Sequence, residues 1–172
     1  MNSTLRHVFR FVFLTLAQVM VFKRINLGGA DFNYVSIIVY PLAIMLLPIQ
    51  LPTVVVMIFG LAQGMMLDAF YDSPGVHTSA CVFIAYMRFF VLGILEPTGG
   101  YNTIVSPTKR ALGFGWFLTY TLVMLFIHLL WYFSVEAFSF VYIKDILLRT
   151  GSSFVVSVLF VVLYQFIFDP TE

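Results

Sequence analysis

The chain alternates between six long apolar runs and short polar breaks. The runs cover about 8–22, 32–47, 53–70, 77–95, 112–135 and 152–168. A helix that crosses a bilayer needs about 20 predominantly apolar residues, and charged side chains at the ends of a shorter run can reach the interface. The pattern therefore predicts an all-α bundle of six transmembrane helices, which forms one integral membrane domain over residues 1–172.

The breaks contain residues that end or distort helices. Gly28, Gly29 and Asp31 precede the second run, in which Pro41 is expected to kink the helix by removing one backbone hydrogen bond. The Glu96–Arg110 stretch contains two prolines and two glycines, so it is predicted to be a loop.

The end of the fifth run has a different composition. Trp131 and Tyr132 are residue types that anchor helices at the membrane interface. The following stretch, Phe138–Arg149, mixes aromatic residues with Lys144, Asp145 and Arg149, which predicts a helix lying in the interface.

Composition excludes several classes of protein. Of the 172 residues, 61% are hydrophobic and 10% are charged, whereas soluble domains carry about 25% charged residues. The chain is therefore predicted to lie in the lipid bilayer. The net charge is +1 and the basic residues are scattered, so no nucleic-acid partner is expected. The single cysteine, Cys81, excludes an intramolecular disulfide. Lysine and arginine are balanced between the two predicted sides, so the positive-inside rule does not orient the bundle.

The most informative stretch is 60–88, which predicts two helices joined by a tight turn. Gly60, Gly64 and Asp68 are four residues apart and share one face of the first helix. Glycines at this spacing allow a neighbouring backbone to approach closely in lipid. The sequence leaves open whether that neighbour is a helix of this chain or of a partner. His77 and Arg88 share one face of the second helix.

Three ionisable residues of this hairpin have alternative interpretations. Asp68 either reaches the interface or is buried with a structural or functional role. His77 caps the turn, meets water, or joins Asp68 and Cys81 in a metal site, although no Cys/His ligand motif supports the metal. Arg88 either extends to the interface or binds backbone carbonyls or a lipid phosphate beside Gly60. An ion pair with Asp68 is not expected, because Arg88 is level with Gly60 in an antiparallel hairpin.

The sequence does not predict an enzyme. Ser73, Ser79 and Cys81 have only His77 nearby, and a nucleophile needs both a base and an orienting group. The chain has no Gly-x-Ser-x-Gly elbow and no phosphate-binding loop. His128 is interpreted as a packed, neutral core residue. We therefore predict no catalytic residues, no cofactor and no metal, and a helix-packing or partner-binding role for Gly60, Gly64, Asp68, His77 and Arg88.

Two motifs of the hairpin resemble a known family. The sequence from Gly60 to Asp68, Gly-Leu-Ala-Gln-Gly-Met-Met-Leu-Asp, is followed by Ser-Pro-Gly-Val-His-Thr-Ser-Ala from Ser73. Together they resemble the central segment of the MreD rod shape-determining proteins. Glu-Pro-Thr-Gly-Gly-Tyr from Glu96 and the stretch 112–120 look like the versions found in Bacteroidetes-type bacteria. The resemblance extends over about 32–131.

The resemblance implies a function and a location. MreD-like proteins are non-enzymatic scaffolds of the complex that elongates rod-shaped bacteria, with roles in cell shape and peptidoglycan synthesis. They pair with MreC, a single-span periplasmic protein, and are associated with MreB, RodA and a class B transpeptidase. The family lies in the inner membrane with both termini in the cytoplasm. That topology would place 71–76 in the periplasm and 96–110 in the cytoplasm.

A second class of protein has the same size and number of spans. Substrate-binding subunits of energy-coupling-factor transporters typically carry an Ala-x-x-x-Ala face in the first span, which engages the coupling subunit. The first run of this chain has Ala17 alone, which disfavours this alternative. A co-purifying vitamin-sized ligand would indicate the transporter subunit, whereas co-purifying MreC would indicate the scaffold. The sequence does not fix the oligomeric state.

Overall fold

The protein is a bundle of helices. A computed structural model describes residues 3–25, 34–101 and 106–168. The α-helices are α1 (Ser3–Met20), α2 (Leu42–Met45), α3 (Thr53–Tyr71), α4 (Val76–Ile94), α5 (Lys109–Leu112), α6 (Phe114–Ala137) and α7 (Ile143–Phe168). Short 3-10 turns lie at Phe22–Arg24 and Phe140–Tyr142. In the described part of the chain, four helices, α3, α4, α6 and α7, are long and apolar enough to cross a membrane. The all-α prediction is confirmed, but six membrane-spanning helices are not.

The predicted second transmembrane helix is wrong. Residues 34–39 have no regular structure, and within 34–48 the α-helix is limited to the four residues of α2. Pro41 is the N-cap of α2 rather than a kink inside a longer helix. Proline disfavours the helical conformation of the residue before it, and four of the five residues from Val35 to Val39 are β-branched, which lowers helix propensity. The start of the predicted span at Phe32, and the predicted loop residues Gly28, Gly29 and Asp31, lie outside the described residues.

The predicted helix at Phe138–Arg149 is not a separate element, because its residues 143–149 belong to α7. α6 ends at Ala137, and its C-cap residue, Phe138, adopts a left-handed conformation with φ 48°. After the 3-10 turn, α7 continues without a break through 143–149 and the whole of the predicted sixth run. At the other end of the chain, α1 begins at Ser3, before the first apolar run. The predicted loop at 96–110 is observed as far as it is described, except that Lys109 and Arg110 open the short α5.

The helices enclose the segment from 34 to 48, which we call the central segment. All residues from Ile37 to Leu47 are buried. The central segment runs from Ser153, near the start of α7, to Arg88, near the end of α4. It therefore crosses the bundle without forming a long helix. Irregular backbone at membrane depth is tolerated only where protein buries it or where it lines a water-filled cavity.

Side chains from the surrounding helices satisfy the backbone of the central segment. Ser153 and Ser157, one turn apart on α7, accept hydrogen bonds from the Ser36 and Ile38 amides, each at 2.9 Å. The Gln18 amide of α1 accepts from the Val39 amide at 3.0 Å and donates to the Ile37 carbonyl at 2.8 Å. Further donors reach the carbonyls of Tyr40 (Gln63, 2.9 Å), Met45 (Tyr120, 3.0 Å) and Leu46 (Arg10, 3.2 Å). Each such bond removes the cost of an unpaired polar group in an apolar interior.

Candidate functional site

The glycines of α3 lie where α4 approaches most closely. A Cβ atom on Gly60 would lie 2.7 Å from the Cys81 carbonyl oxygen. A Cβ atom on Gly64 would lie 2.8 Å from the Thr78 nitrogen and 2.9 Å from the His77 carbonyl oxygen. These distances are shorter than real Cβ contacts, so larger residues would force the backbones apart. The glycine face therefore packs inside the hairpin, against a helix of the same chain.

Asp68 closes the hairpin by capping α4 from the preceding helix. One carboxylate oxygen accepts from the His77 amide at 2.9 Å and from the Ser73 hydroxyl at 3.2 Å. The other accepts from the amides of Gly75 and Thr78, both at 3.0 Å, and from the Thr78 hydroxyl at 2.6 Å. The first amides of a helix have no partner within that helix, and an anion stabilises its positive end. The α4 N-cap residue, Gly75, has no side chain for this task, so Asp68 supplies it.

His77 is the group that links this cap to the interior. Its side chain is 2% exposed, and its Nδ1 atom lies 3.1 Å from a carboxylate oxygen of Asp68. A carboxylate accepts hydrogen bonds, so this geometry assigns the proton of the neutral imidazole to Nδ1. The Nε2 atom is then an acceptor, and no described residue donates a hydrogen bond to it. Asp68 therefore orients His77, together with the Ser73 hydroxyl, which lies 2.9 Å from the same Nδ1 atom.

Three tyrosines surround the imidazole ring of His77. The ring centres of Tyr71, Tyr132 and Tyr40 lie 4.6, 5.0 and 5.7 Å from that of His77. The Tyr71 hydroxyl is hydrogen-bonded to Gln18, and the Tyr40 hydroxyl lies 2.8 Å from Nε2 of His128. The cluster thus joins α3, α4 and α6 to the central segment, and its aromatic faces exclude water from the interior below it.

This cluster forms the inner wall of a polar cavity of about 250 Å³. Gln18, Tyr40, Tyr71, His77 and Tyr132 line its inner part. Lys23, Glu136 and Arg149, which are exposed or half-exposed, also line it. Arg149 pairs with Glu136 at 3.3 Å. Aromatic walls and a few convergent polar groups are features that this cavity shares with small-molecule sites.

Arg88 belongs to a different part of the molecule. Its guanidinium is 3% exposed and donates to the carbonyls of Met45 (3.5 Å), Leu47 and Pro48 (3.2 Å). These carbonyls belong to the last residue of α2 and to two residues after it, at the end of the central segment. Of the alternatives that the sequence left open for Arg88, the structure shows carbonyl binding, but the carbonyls are not beside Gly60.

The structure thus divides the predicted site residues between two places. Gly60, Gly64, Asp68 and His77 form one closed hairpin, whereas Arg88 holds the far end of the central segment. Trp131 stacks on Phe83 with ring centres 4.0 Å apart, but Tyr132 is 8% exposed and faces His77 rather than the membrane interface. No three His, Cys, Asp or Glu side chains among residues 3–25, 34–101 and 106–168 come together as a metal site.

Sequence reasoning missed several residues of the cavity, including Gln18, Lys23, Tyr40 and Tyr71. A usable signal was present for Gln18, because a glutamine inside an apolar helix needs a hydrogen-bond partner. The tyrosines gave no such signal, since aromatic residues are abundant throughout the chain.

Comparisons with known proteins return no relative. No protein-family model matches the chain, and neither the curated proteins nor the solved structures include a match.

Proposed function

We propose that this protein is a non-enzymatic membrane scaffold of the MreD type, which binds MreC within the bacterial cell-elongation complex. One observation supports this proposal above the others. The residues that carry the resemblance, from Gly60 to Asp68 and from Ser73 to Thr78, form a single structural unit in which the second motif wraps around the carboxylate of the first. Residues that work as one unit are a better basis for a resemblance than residues scattered over the fold.

The polar groups of the hairpin also fit a scaffold. Asp68 has five hydrogen-bond donors from the turn and the start of α4, in addition to His77 Nδ1. Arg88 is engaged with three backbone carbonyls. These contacts hold helices at fixed positions, which is what a protein that assembles partners requires. RodA, a class B transpeptidase and MreB are the further partners in this proposal, in cell shape and peptidoglycan synthesis.

The proposed topology has six crossings of the bacterial inner membrane. Helices α1, α3, α4, α6 and α7 provide five, and the central segment provides the sixth. Phe13 of α1 packs on Phe168 at the end of α7 with ring centres 5.4 Å apart, which supports termini on one side. We propose that this side is the cytoplasm.

Reporter fusions test this topology. An alkaline phosphatase fused after Glu172 is expected to be inactive, and one inserted at Ser73 is expected to be active. A fluorescent protein fused before Met1 is expected to fluoresce. Termini on opposite sides of the membrane would show that the central segment does not act as a crossing.

Co-purification with MreC tests the scaffold function. The tagged chain is co-expressed with MreC from the same bacterium, and the complex is extracted in mild detergent. We expect MreC to elute with the tagged chain through size-exclusion chromatography. An unrelated six-span protein with the same tag is the control for non-specific capture. Absence of MreC from the eluate, when both proteins are present in the membrane fraction, would contradict the proposal.

The cavity favours a second candidate function. A substrate-binding subunit of an energy-coupling-factor transporter needs a ligand pocket, and the cavity beside His77 has the polar and aromatic walls for one. Ligand binding alone does not distinguish the two candidates, because a scaffold can also bind a ligand. Co-purification of a coupling subunit and an ATPase instead of MreC would favour the transporter.

A further inference from the structure

The cavity contains an acceptor that the protein itself leaves unused. His77 is 2% exposed and lines the cavity. No described residue donates a hydrogen bond to its Nε2 atom. In the neutral imidazole with its proton on Nδ1, which faces the Asp68 carboxylate, Nε2 accepts a hydrogen bond. The Tyr132 hydroxyl lines the same space and has no hydrogen-bond partner among the described residues. A ligand or water in the cavity can supply the hydrogen-bond partner that the described residues do not.

The cation Lys23 contacts the same aromatic ring, that of Tyr71, as His77 does. The Lys23 Nζ atom is 4.9 Å from the centre of the Tyr71 ring, and the His77 ring is 4.6 Å from the same centre. Tyr71 therefore contacts both the positive charge of Lys23 and the imidazole of His77. A ligand lying along Tyr71 can present an anionic group to Lys23 and a hydrogen-bond donor to His77.

The charges of the cavity favour an anion. Lys23 and Arg149 are positive and Glu136 is negative, so these three residues carry a net charge of +1. Arg149 is already paired with Glu136. Lys23 donates to the Phe70 carbonyl at 2.5 Å, and no carboxylate among the described residues forms an ion pair with it. An anion at Lys23 would be paired with a charged donor, which makes a stronger hydrogen bond than a neutral one does.

We propose that this cavity binds a small organic anion whose hydroxyl or N–H group donates to His77 Nε2 while its carboxylate pairs with Lys23. A flat ring between the two groups packs against the faces of Tyr71 and Tyr132. The ligand class is thus a hydroxylated aromatic or heterocyclic carboxylate.

Other ligand classes fit less well. A purely apolar ligand would leave His77 Nε2 and the Tyr132 hydroxyl without partners, at the cost of an unsatisfied buried acceptor. An organic cation would lie near the positive charge of Lys23, and the two positive charges would repel each other. Binding of the proposed anion does not depend on MreC, so this site and the scaffold function can fail separately.

The probe for this site is 4-hydroxybenzoate, which carries a phenolic donor and a carboxylate across one ring. Binding is measured by isothermal titration calorimetry on the detergent-purified full chain. Benzoate lacks the donor and 4-hydroxybenzamide lacks the anion. We expect 4-hydroxybenzoate to bind saturably and each analogue to bind about tenfold more weakly, since a single hydrogen bond or charge pair accounts for a change of that order.

Two neighbouring cations provide a matched pair of variants. Lys23→Gln removes the proposed anion partner, whereas Arg24→Gln removes an adjacent exposed charge that does not line the cavity. We expect Lys23→Gln to weaken 4-hydroxybenzoate binding about tenfold and Arg24→Gln to leave it unchanged. No saturable binding of 4-hydroxybenzoate, equal affinity for benzoate, or equal effects of Lys23→Gln and Arg24→Gln would overturn the proposal.

Discussion

The α3–α4 hairpin and the central segment satisfy the hydrogen bonds of their backbones in different ways. Both carry backbone polar groups through an apolar interior, where an unpaired group costs several kcal/mol. The hairpin pairs its backbone within each helix and uses one side chain, Asp68, for the exposed start of α4. The central segment leaves its backbone open, and residues from α1, α3, α4, α6 and α7 complete it.

This difference determines what each region requires from its neighbours. The hairpin needs small residues, because two paired backbones must approach closely at Gly60 and Gly64. The central segment needs long polar residues, such as Gln18 and Arg88, which reach into the interior of the bundle. We therefore expect steric changes to damage the hairpin and loss of hydrogen-bonding groups to damage the central segment.

The largest effect is expected from Gly64→Leu, because the new side chain has no space between α3 and α4. Its Cβ atom alone would lie 2.8 Å from the Thr78 nitrogen, and overpacking of this kind costs about 3 kcal/mol or more. We expect little monodisperse protein after detergent extraction and a loss of co-purifying MreC. The measurements are size-exclusion yield and MreC recovery at equal expression.

Leu61→Phe is the matched control on the same helix. Leu61 is 44% exposed, so its face has space for a larger side chain. We expect its yield and MreC recovery to be close to those of the wild type. Equal recovery of MreC with Gly64→Leu and Leu61→Phe would show that close packing at Gly64 is not required.

A smaller effect is expected when Arg88, at the far end of the central segment, is replaced. Arg88→Met leaves the carbonyls of Met45, Leu47 and Pro48 without this donor, which should cost about 2 kcal/mol. Arg88→Lys should lose nearly as much, because a single ammonium cannot reproduce the planar fork of a guanidinium. The measurement is thermal unfolding in detergent, followed by tryptophan fluorescence.

The same exchange at an exposed arginine is the control for this comparison. Arg24→Lys should change the melting temperature very little, since surface substitutions are usually within about 0.5 kcal/mol. If Arg88→Lys had the melting temperature of the wild type, Arg88 would contribute its charge alone, and the planar geometry of its guanidinium would not be required.

The hairpin was predictable from the sequence because its determinants are local. The four-residue spacing of Gly60, Gly64 and Asp68 indicates a shared helix face, and the polar residues from Tyr71 to His77 indicate a turn. Local pattern could not decide what Asp68 does, because its donors are backbone amides whose positions depend on how the turn folds. The glycine face was likewise predicted, but its partner helix was left open.

The central segment was not predictable for a physical reason. Its apolar composition fits a buried strand-like segment as well as a buried helix, and periodicity does not separate the two. The residues that decide the matter lie far away along the chain: Gln18 is 21 residues from Val39, and Ser157 is 119 residues from Ile38. Arg88 was recognised as a carbonyl-binding candidate, but the identity of the carbonyls depended on this unrecognised segment.

The smallest effect is expected from single serines of α7. Ser157→Ala removes the acceptor for the Ile38 amide, which is buried and bonded at 2.9 Å. Ser153→Ala does the same for the Ser36 amide, which lies nearer the surface. Loss of one such acceptor should cost about 1 kcal/mol, and the cost should be greater at Ser157 because water does not reach Ile38. Thermal unfolding in detergent measures both changes.

Ser134→Ala is the control for the serine variants of α7, because it removes a hydroxyl from an apolar helix without removing an acceptor of the central segment. The Ser134 hydroxyl donates to the Leu130 carbonyl within α6, so its removal leaves no backbone group of the central segment unpaired. Its stability should stay within about 0.5 kcal/mol of the wild type. If Ser157→Ala and Ser134→Ala had the same melting temperature, the stability of the protein would not depend on the hydrogen bond between Ser157 and the Ile38 amide. The central segment would then be held by side-chain packing, and the contrast with the hairpin would lose its basis in backbone hydrogen bonding.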